Sequence, residues 1–236
     1  QGGAATTSEL EVPFGLQSLG DDEPYEIEVT ETGQRQRVEA YIDALDDGEG
    51  NLVVSTSLEA RAGGNDDYVL LAAGDTLRAT YGKQKGTLGE TQSGKYEVAF
   101  DVSNTSDVTV SFDRSRYDAA PSTVGTLPES VALADFGGAV ISRGLDDIVL
   151  DLPATVGFKS VDLTGPCVSA LHYDVGEAAD YLTIYSGDLY ASYAEDECDV
   201  TITVTTSLAG KVDRALHGDS TFTLRRARYA TFYSVP

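Results

Sequence analysis

Apolar side chains at every second position dominate this chain. That spacing belongs to strands with one dry face and one wet face. Val38, Ala40, Ile42 and Ala44 fall on one side of an extended segment, with Arg37, Glu39, Tyr41 and Asp43 on the other. Tyr96, Val98 and Phe100 alternate with Lys95, Glu97, Ala99 and Asp101, and Val108, Val110 and Phe112 with Asp107, Thr109, Ser111 and Asp113. Tyr25-Glu26-Ile27-Glu28-Val29 repeats the pattern, as do Val200, Ile202 and Val204 set among Asp199, Thr201, Thr203 and Thr205. No long stretch combines a helical period with caps. Turn chemistry separates the runs at Asp46-Asp47-Gly48-Glu49-Gly50-Asn51, Gly63-Gly64-Asn65-Asp66 and Gly74-Asp75. Ser103-Asn104-Thr105-Ser106 is expected to join Lys95–Val102 to Asp107–Arg114 as a β-hairpin.

Short strands recurring every ~8–12 residues define an all-β chain and point to sandwiches. With 236 residues there is room for two. The segment Ala119-Ala120-Pro121-Ser122-Thr123-Val124-Gly125-Thr126-Leu127-Pro128 carries two prolines and small residues, and reads as a break between them. The expected architecture is two tandem Ig-like antiparallel β-sandwich domains. A flexible tether spans 1–18, the first sandwich 19–118, a linker 119–128, and the second sandwich 129–236. There is no Trp, so the buried tryptophan of antibody-type domains has no counterpart, and the Ig-like expectation concerns architecture.

Charge narrows the partners. The net charge is −23. Residues 1–120 carry 23 acidic and nine basic side chains, residues 121–236 16 and seven, so the acidity is no local tail. Nucleic acid is excluded as an expected partner, because phosphates need a basic surface. No run of apolar residues is long enough to cross a bilayer as a helix. Met is absent throughout, position 1 included, which fits removal of an export signal. Gln1-Gly2-Gly3-Ala4-Ala5-Thr6-Thr7-Ser8 has the composition of a tether behind a lipid anchor. Cys167 and Cys198 form an even pair, and in an exported chain such a pair favours a disulfide; two buried thiols or a metal pair are the alternatives.

The second half also carries Gly165-Pro166-Cys167, Cys198-Asp199-Val200-Thr201-Ile202-Thr203-Val204-Thr205-Thr206, Leu208-Ala209-Gly210-Lys211-Val212-Asp213, and the ending Arg226-Ala227-Arg228-Tyr229-Ala230-Thr231-Phe232-Tyr233-Ser234-Val235-Pro236. The first half carries Gly94-Lys95-Tyr96, Val108-Thr109-Val110-Ser111-Phe112-Asp113-Arg114 and Thr126-Leu127-Pro128. Together these resemble a group of uncharacterised bacterial envelope lipoproteins, over about half to two-thirds of the chain. The resemblance implies export, a paired-Cys second domain and lipid anchoring. It implies no activity and transfers no catalytic residue.

Sites are sparser. The two histidines, His172 and His217, accompany no Gly-x-Ser-x-Gly elbow, and no phosphate-cradling motif occurs. Asp43, Asp46, Asp47, Glu49 and Asn51 gather hard oxygen ligands around two glycines and form a candidate calcium site, although the spacing is not that of an EF-hand. An acidic hairpin tip is the plainer account. Asn65-Asp66-Asp67 and Glu195-Asp196-Glu197 are lesser acidic clusters. Tyr181 with Tyr185, and Tyr229 with Tyr233, are expected to share strand faces and are candidate binding aromatics. Arg225-Arg226-Ala227-Arg228 is the one basic run, expected to pair with local carboxylates, with docking of an acidic neighbour as the alternative. The functional expectation is a non-enzymatic exported surface or envelope protein, extracytoplasmic, with a structural, adhesive or assembly role and protein partners of the cell envelope. A calcium- or glycan-binding module, and a hydrolase with an unrecognised site, are the alternatives.

Overall fold

The computed structural model describes residues 16–17, 24–25, 39–62, 65–69, 71, 74–92, 94–103, 106–113, 119–153, 157–189, 196–216 and 218–236. The tether at 1–18 (apart from Leu16–Gln17), the strand expected after Tyr25, the Gly63-Gly64 turn, Glu195 and His217 lie outside them. The chain is all-β. Its single helical element among the described residues is the short 3₁₀ turn Ala134–Phe136. It forms two compact units that are not successive stretches of chain. Unit 1 comprises Gln1–Ala44, Val53–Thr126 and Ala209–Thr223; unit 2 comprises Leu45–Leu52, Leu127–Leu208 and Leu224–Pro236.

Strands β1 (Leu16–Gln17), β2 (Pro24–Tyr25), β3 (Glu39–Asp46), β4 (Asn51–Ala62), β5 (Asn65–Val69), β6 (Thr76–Tyr81), β7 (Gln84–Thr87), β8 (Gly89–Gln92), β9 (Lys95–Asp101), β10 (Asp107–Asp113) and β11 (Ala120–Thr126) come first. One sheet runs β11-β10-β6-β7. In the other, β4 neighbours β3 and β5, and β9 pairs with both β4 and β8. The alternation sets the dry faces as expected: Ala40, Ile42 and Ala44 on β3, Tyr96 and Phe100 on β9, and Val108, Val110 and Phe112 on β10 are buried. Each such side chain contributes roughly 1.5–3 kcal/mol on leaving water. Tyr81 and Phe100 meet across the layers with ring centroids 6.3 Å apart.

Two expectations are corrected here. Lys95–Asp101 and Asp107–Asp113 are not a hairpin, since β9 belongs to one sheet and β10 to the other. Both apolar faces are better covered by opposing layers than by lying side by side. The crossing is fixed by Tyr81, whose hydroxyl donates to Ser103 O (3.1 Å) and accepts from Ser103 N–H (3.3 Å). The segment 119–128 is no simple linker, because most of it is strand β11, paired along β10. Proline is tolerated because Pro121 sits in a register shift opposite Ser111, where the ladder asks for no N–H. The same shift frees the Ser122 N–H, which donates to Asp213 Oδ2 at 2.9 Å. Asp213 also accepts from the Ser122 hydroxyl (2.8 Å) and the Ala215 N–H (2.8 Å). Burial pushes its carboxyl up, but these bonds outweigh it and hold the pKa below the usual value.

Strands β12 (Val140–Ser142), β13 (Ile148–Asp151), β14 (Phe158–Gly165), β15 (Val168–Val175), β16 (Tyr181–Ile184), β17 (Cys198–Ala209) and β18 (Thr221–Val235) follow. One sheet runs β15-β14-β17-β18, with β12 added parallel to β18. The second layer is a two-stranded ribbon of β13 and β16. Ile148, Leu150, Leu152 and Ile184 from the ribbon segment pack with Val161, Leu163, Val200, Ile202, Val204 and Phe232 from the larger sheet in one core. Cys167 and Cys198 are bonded, with Cα atoms 5.5 Å apart. The bond ties the β14–β15 turn to the start of β17 inside that core. A Cβ on Gly165 would lie 2.8 Å from Asp199 O and 3.2 Å from Cys198 Sγ, so the turn approaches β17 only with glycine there. The disulfide closes a separation of 31 residues. The double variant Cys167→Ser/Cys198→Ser is expected to lose about 3–4 kcal/mol in urea denaturation.

Candidate functional site

Of the five residues expected to hold calcium, Asp43 lies on β3 and the other four at the β3–β4 hairpin, where Asp46, Asp47 and Asn51 already have partners. Asp46 continues the dry face of β3 and is 1% exposed. Its carboxylate accepts Arg228 Nη1 (3.0 Å) and Nη2 (3.0 Å) in a two-pronged contact, and Arg226 Nε at 2.9 Å. The Gly48 N–H adds a fourth bond at 3.0 Å. Burial pushes the Asp46 carboxyl up, yet the Arg228 hydrogen bonds, the Gly48 N–H and the two guanidinium charges outweigh it and hold its pKa below 3.8. The basic run Arg225–Arg228 therefore meets its carboxylate partner through Arg226 and Arg228. Asp47 is turned into its own loop: Oδ1 accepts the Glu49 N–H (2.7 Å) and the Asn51 N–H (3.0 Å), and Oδ2 the Asn51 side chain (2.9 Å). Asp43 stays half-buried on β3. Gly48 (φ +76°) leaves room for the neighbouring strand, since a Cβ there would lie 2.6 Å from Ala227 O. Among the described residues no group of three or more His, Cys, Asp or Glu side chains is arranged to hold a metal ion.

The two tyrosine pairs part company. Tyr229 and Tyr233 lie on one side of β18 and are both 40% exposed. Their hydroxyls are tied down, Tyr229 donating to Asp47 O at 2.8 Å and Tyr233 to Glu197 Oε2 at 3.0 Å. Tyr181 and Tyr185 are more open, at 61% and 63%. Tyr181 is on β16, and Tyr185 is the first residue past its end. The ribbon pairs Val149 with Thr183 and Asp151 with Tyr181. Because Ile148, Leu150 and Ile184 point into the core, Val149, Asp151 and Tyr181 point out. Leu145, in the turn before β13, is the most exposed apolar side chain of this group at 83%. The outer ribbon is thus an apolar and aromatic surface beside acidic turns. Asp147 accepts the Ser186 N–H (2.6 Å) and Asp188 the Tyr185 N–H (3.0 Å), and these bonds hold the turns in place.

Three ionisable groups went unmarked or unplaced in the sequence. His172, on β15, is exposed, with Nδ1 2.6 Å from Asp162 Oδ1 and Nε2 3.2 Å from Asp174 Oδ1. The hydrogen bond that the ring makes to Asp162 first, and that to Asp174 second, raise its pKa above 6.5. Both ring nitrogens face carboxylates, so this histidine has no hydroxyl to activate as a serine base would. Lys159 is buried on the dry face of β14, its ammonium donating to Ala179 O (2.7 Å), Glu177 O (3.0 Å) and Pro153 O (3.5 Å). Arg143 is buried beside the disulfide, donating to Asp196 O (2.7 Å) and Ser234 Oγ (3.1 Å), with Cys167 Sγ at 3.4 Å. Both cations are satisfied by backbone and hydroxyl acceptors, and both act as struts.

No protein-family model matches the chain, and no curated protein matches it.

Removing the Asp46 carboxylate leaves two partly buried guanidiniums without their counter-charge. Asp46→Ala is expected to cost about 3 kcal/mol in equilibrium unfolding. Because folding lowers this pKa, the stabilisation is present above 3.8 and is lost as pH falls below it, so the wild-type advantage over the variant should vanish in acid. The bonds already made by Asp46 and Asp47 predict that calcium and EDTA give equal melting temperatures, and a calcium-dependent rise would restore the calcium reading.

Proposed function

We propose that this chain is a non-enzymatic exported protein of the bacterial envelope or cell surface, with a structural, adhesive or assembly role, and that it contacts other envelope proteins. The observation that carries the reading is the outer ribbon, where Leu145, Val149, Tyr181 and Tyr185 stand exposed on a β unit closed by a disulfide. Exposed apolar and aromatic side chains on and beside a two-stranded ribbon are of the kind that contact sites use. The disulfide favours an oxidising compartment. No helix among the described residues is long and apolar enough to cross a membrane.

The finer architecture follows the same reading. Each unit has two facing layers of mostly antiparallel strands, and we read both as immunoglobulin-like sandwiches of an envelope lipoprotein type, the second bearing the Cys pair. Loops and edges of such sandwiches are where contacts are made.

Fractionation of the native cells, with mass spectrometry of the cysteines, tests this. The protein is expected outside the cytoplasm with Cys167 bonded to Cys198, and crosslinking is expected to recover envelope proteins attached to it. A cytoplasmic protein with two free thiols would overturn the proposal.

A further inference from the structure

We infer that the outer face and edge of the β13–β16 ribbon receive an extended, basic peptide segment of a partner protein. This rests on the reading of the chain as an envelope contact protein and names the chemistry of the contact.

The backbone supplies the first part. In an antiparallel ladder, bonded and non-bonded pairs alternate. The Leu152 N–H donates to Asp180 O at 2.8 Å, which makes 152 with 180 a bonded pair. In the register Ile148↔Ile184, Val149↔Thr183, Leu150↔Leu182, Asp151↔Tyr181, the bonded pairs are then 150 with 182 and 148 with 184. The N–H and C=O groups of Val149 and Asp151 point away from β16, along the outer edge of β13. Among the described residues the ribbon has two strands, and neither edge continues into further sheet. Val149 is 53% exposed and Asp151 is exposed, so the residues whose backbone groups point outward also stand in solvent, as strand addition requires.

Charge selects the occupant. The stretches Gly144–Leu152 and Ala179–Leu189 contain five aspartates and no lysine or arginine. All five carboxylates belong to the ribbon or its turns. A second copy of this chain, with net charge −23, would bring like charge to the same place. An added strand puts every second residue on the outer face, beside both Val149 and Asp151, so successive outward positions of the segment carry Val, Ile or Tyr against Val149 and Lys or Arg against Asp151. The free backbone groups favour a peptide over a glycan, which would use the tyrosine faces and leave the edge unbonded.

The test uses the full chain and synthetic nine-residue peptides, one with Lys and Val or Tyr taking turns at every second position and Thr between them, one with Glu in place of Lys, read by fluorescence anisotropy. The basic peptide is expected to bind, to weaken as salt is raised, and to outbind the acidic one. Val149→Pro removes an outward N–H without breaking a bond to β16, and it is expected to weaken binding about tenfold or more. Asp151→Lys leaves the backbone intact and is expected to do the same while keeping the melting temperature, so a folding defect in the proline variant does not blunt the test. Absence of basic-peptide binding, equal binding of the acidic peptide, or binding unchanged in both variants would overturn the inference. So would self-association lost in Val149→Pro, or binding of a neutral oligosaccharide lost in Tyr181→Ala with peptides ignored. These failures leave the envelope assignment standing if fractionation still finds the protein outside the cytoplasm. A cytoplasmic location would remove the envelope assignment while leaving any measured peptide binding intact.

Discussion

A strand with a dry face has to be roofed by a second layer, and the arrangement of each unit follows from that requirement. In unit 1 the roof over β9 is β6 and its neighbours, locked by the Tyr81–Phe100 contact. In unit 2 it is the ribbon, whose Ile148, Leu150 and Ile184 close the core over Val161, Leu163, Ile202 and Val204. Hydrogen bonds along the strands could be made in several registers. Only one sets every second side chain against another apolar surface. The disulfide lies inside this closed layer, so it reinforces a geometry that packing has already chosen.

The faces of the strands were legible in advance. Val108, Val110 and Phe112, like Val200, Ile202 and Val204, went inside as their spacing dictates. Which strands became neighbours was not legible. Alternation gives a face but no partner, so β9 and β10 read as a hairpin although they lie in opposite sheets. Pro121 misled for a related reason: composition marks a break, whereas a register shift in β10–β11 accommodates the ring. Lys159 shows the limit most clearly. Val161 and Leu163 fix the parity of β14, so Lys159 is carried inward and Phe158 outward, against the chemistry of each residue alone. Three carbonyl oxygens from distant turns make the buried ammonium tolerable, and none of them is recognisable from local sequence.

The candidate site shows the same division. The tip residues Asp46 and Asp47 looked like free calcium ligands because their partners lie far along the chain, with Arg226 and Arg228 180 and 182 residues away from Asp46. The tyrosines were visible as a class, but their roles separated only in three dimensions. Tyr229 and Tyr233 spend their hydroxyls on neighbouring groups. Tyr181 and Tyr185 flank a short ribbon whose apolar outer residue, Val149, gave no signal of its own. Leu145 and Val149 would be read as core by hydrophobicity, and a position after a turn or between two inward residues puts them outside.

Lys159 has one further consequence, of a practical kind. Residues 45–52, 127–208 and 224–236, which make up unit 2, contain no other lysine. Its amine is spent on backbone oxygens in the interior, beyond the reach of acylating reagents. Succinimidyl esters, biotin tags and sensor-chip matrices will therefore attach through unit 1, and the Tyr181–Tyr185 surface keeps its native chemistry on a labelled or immobilised protein.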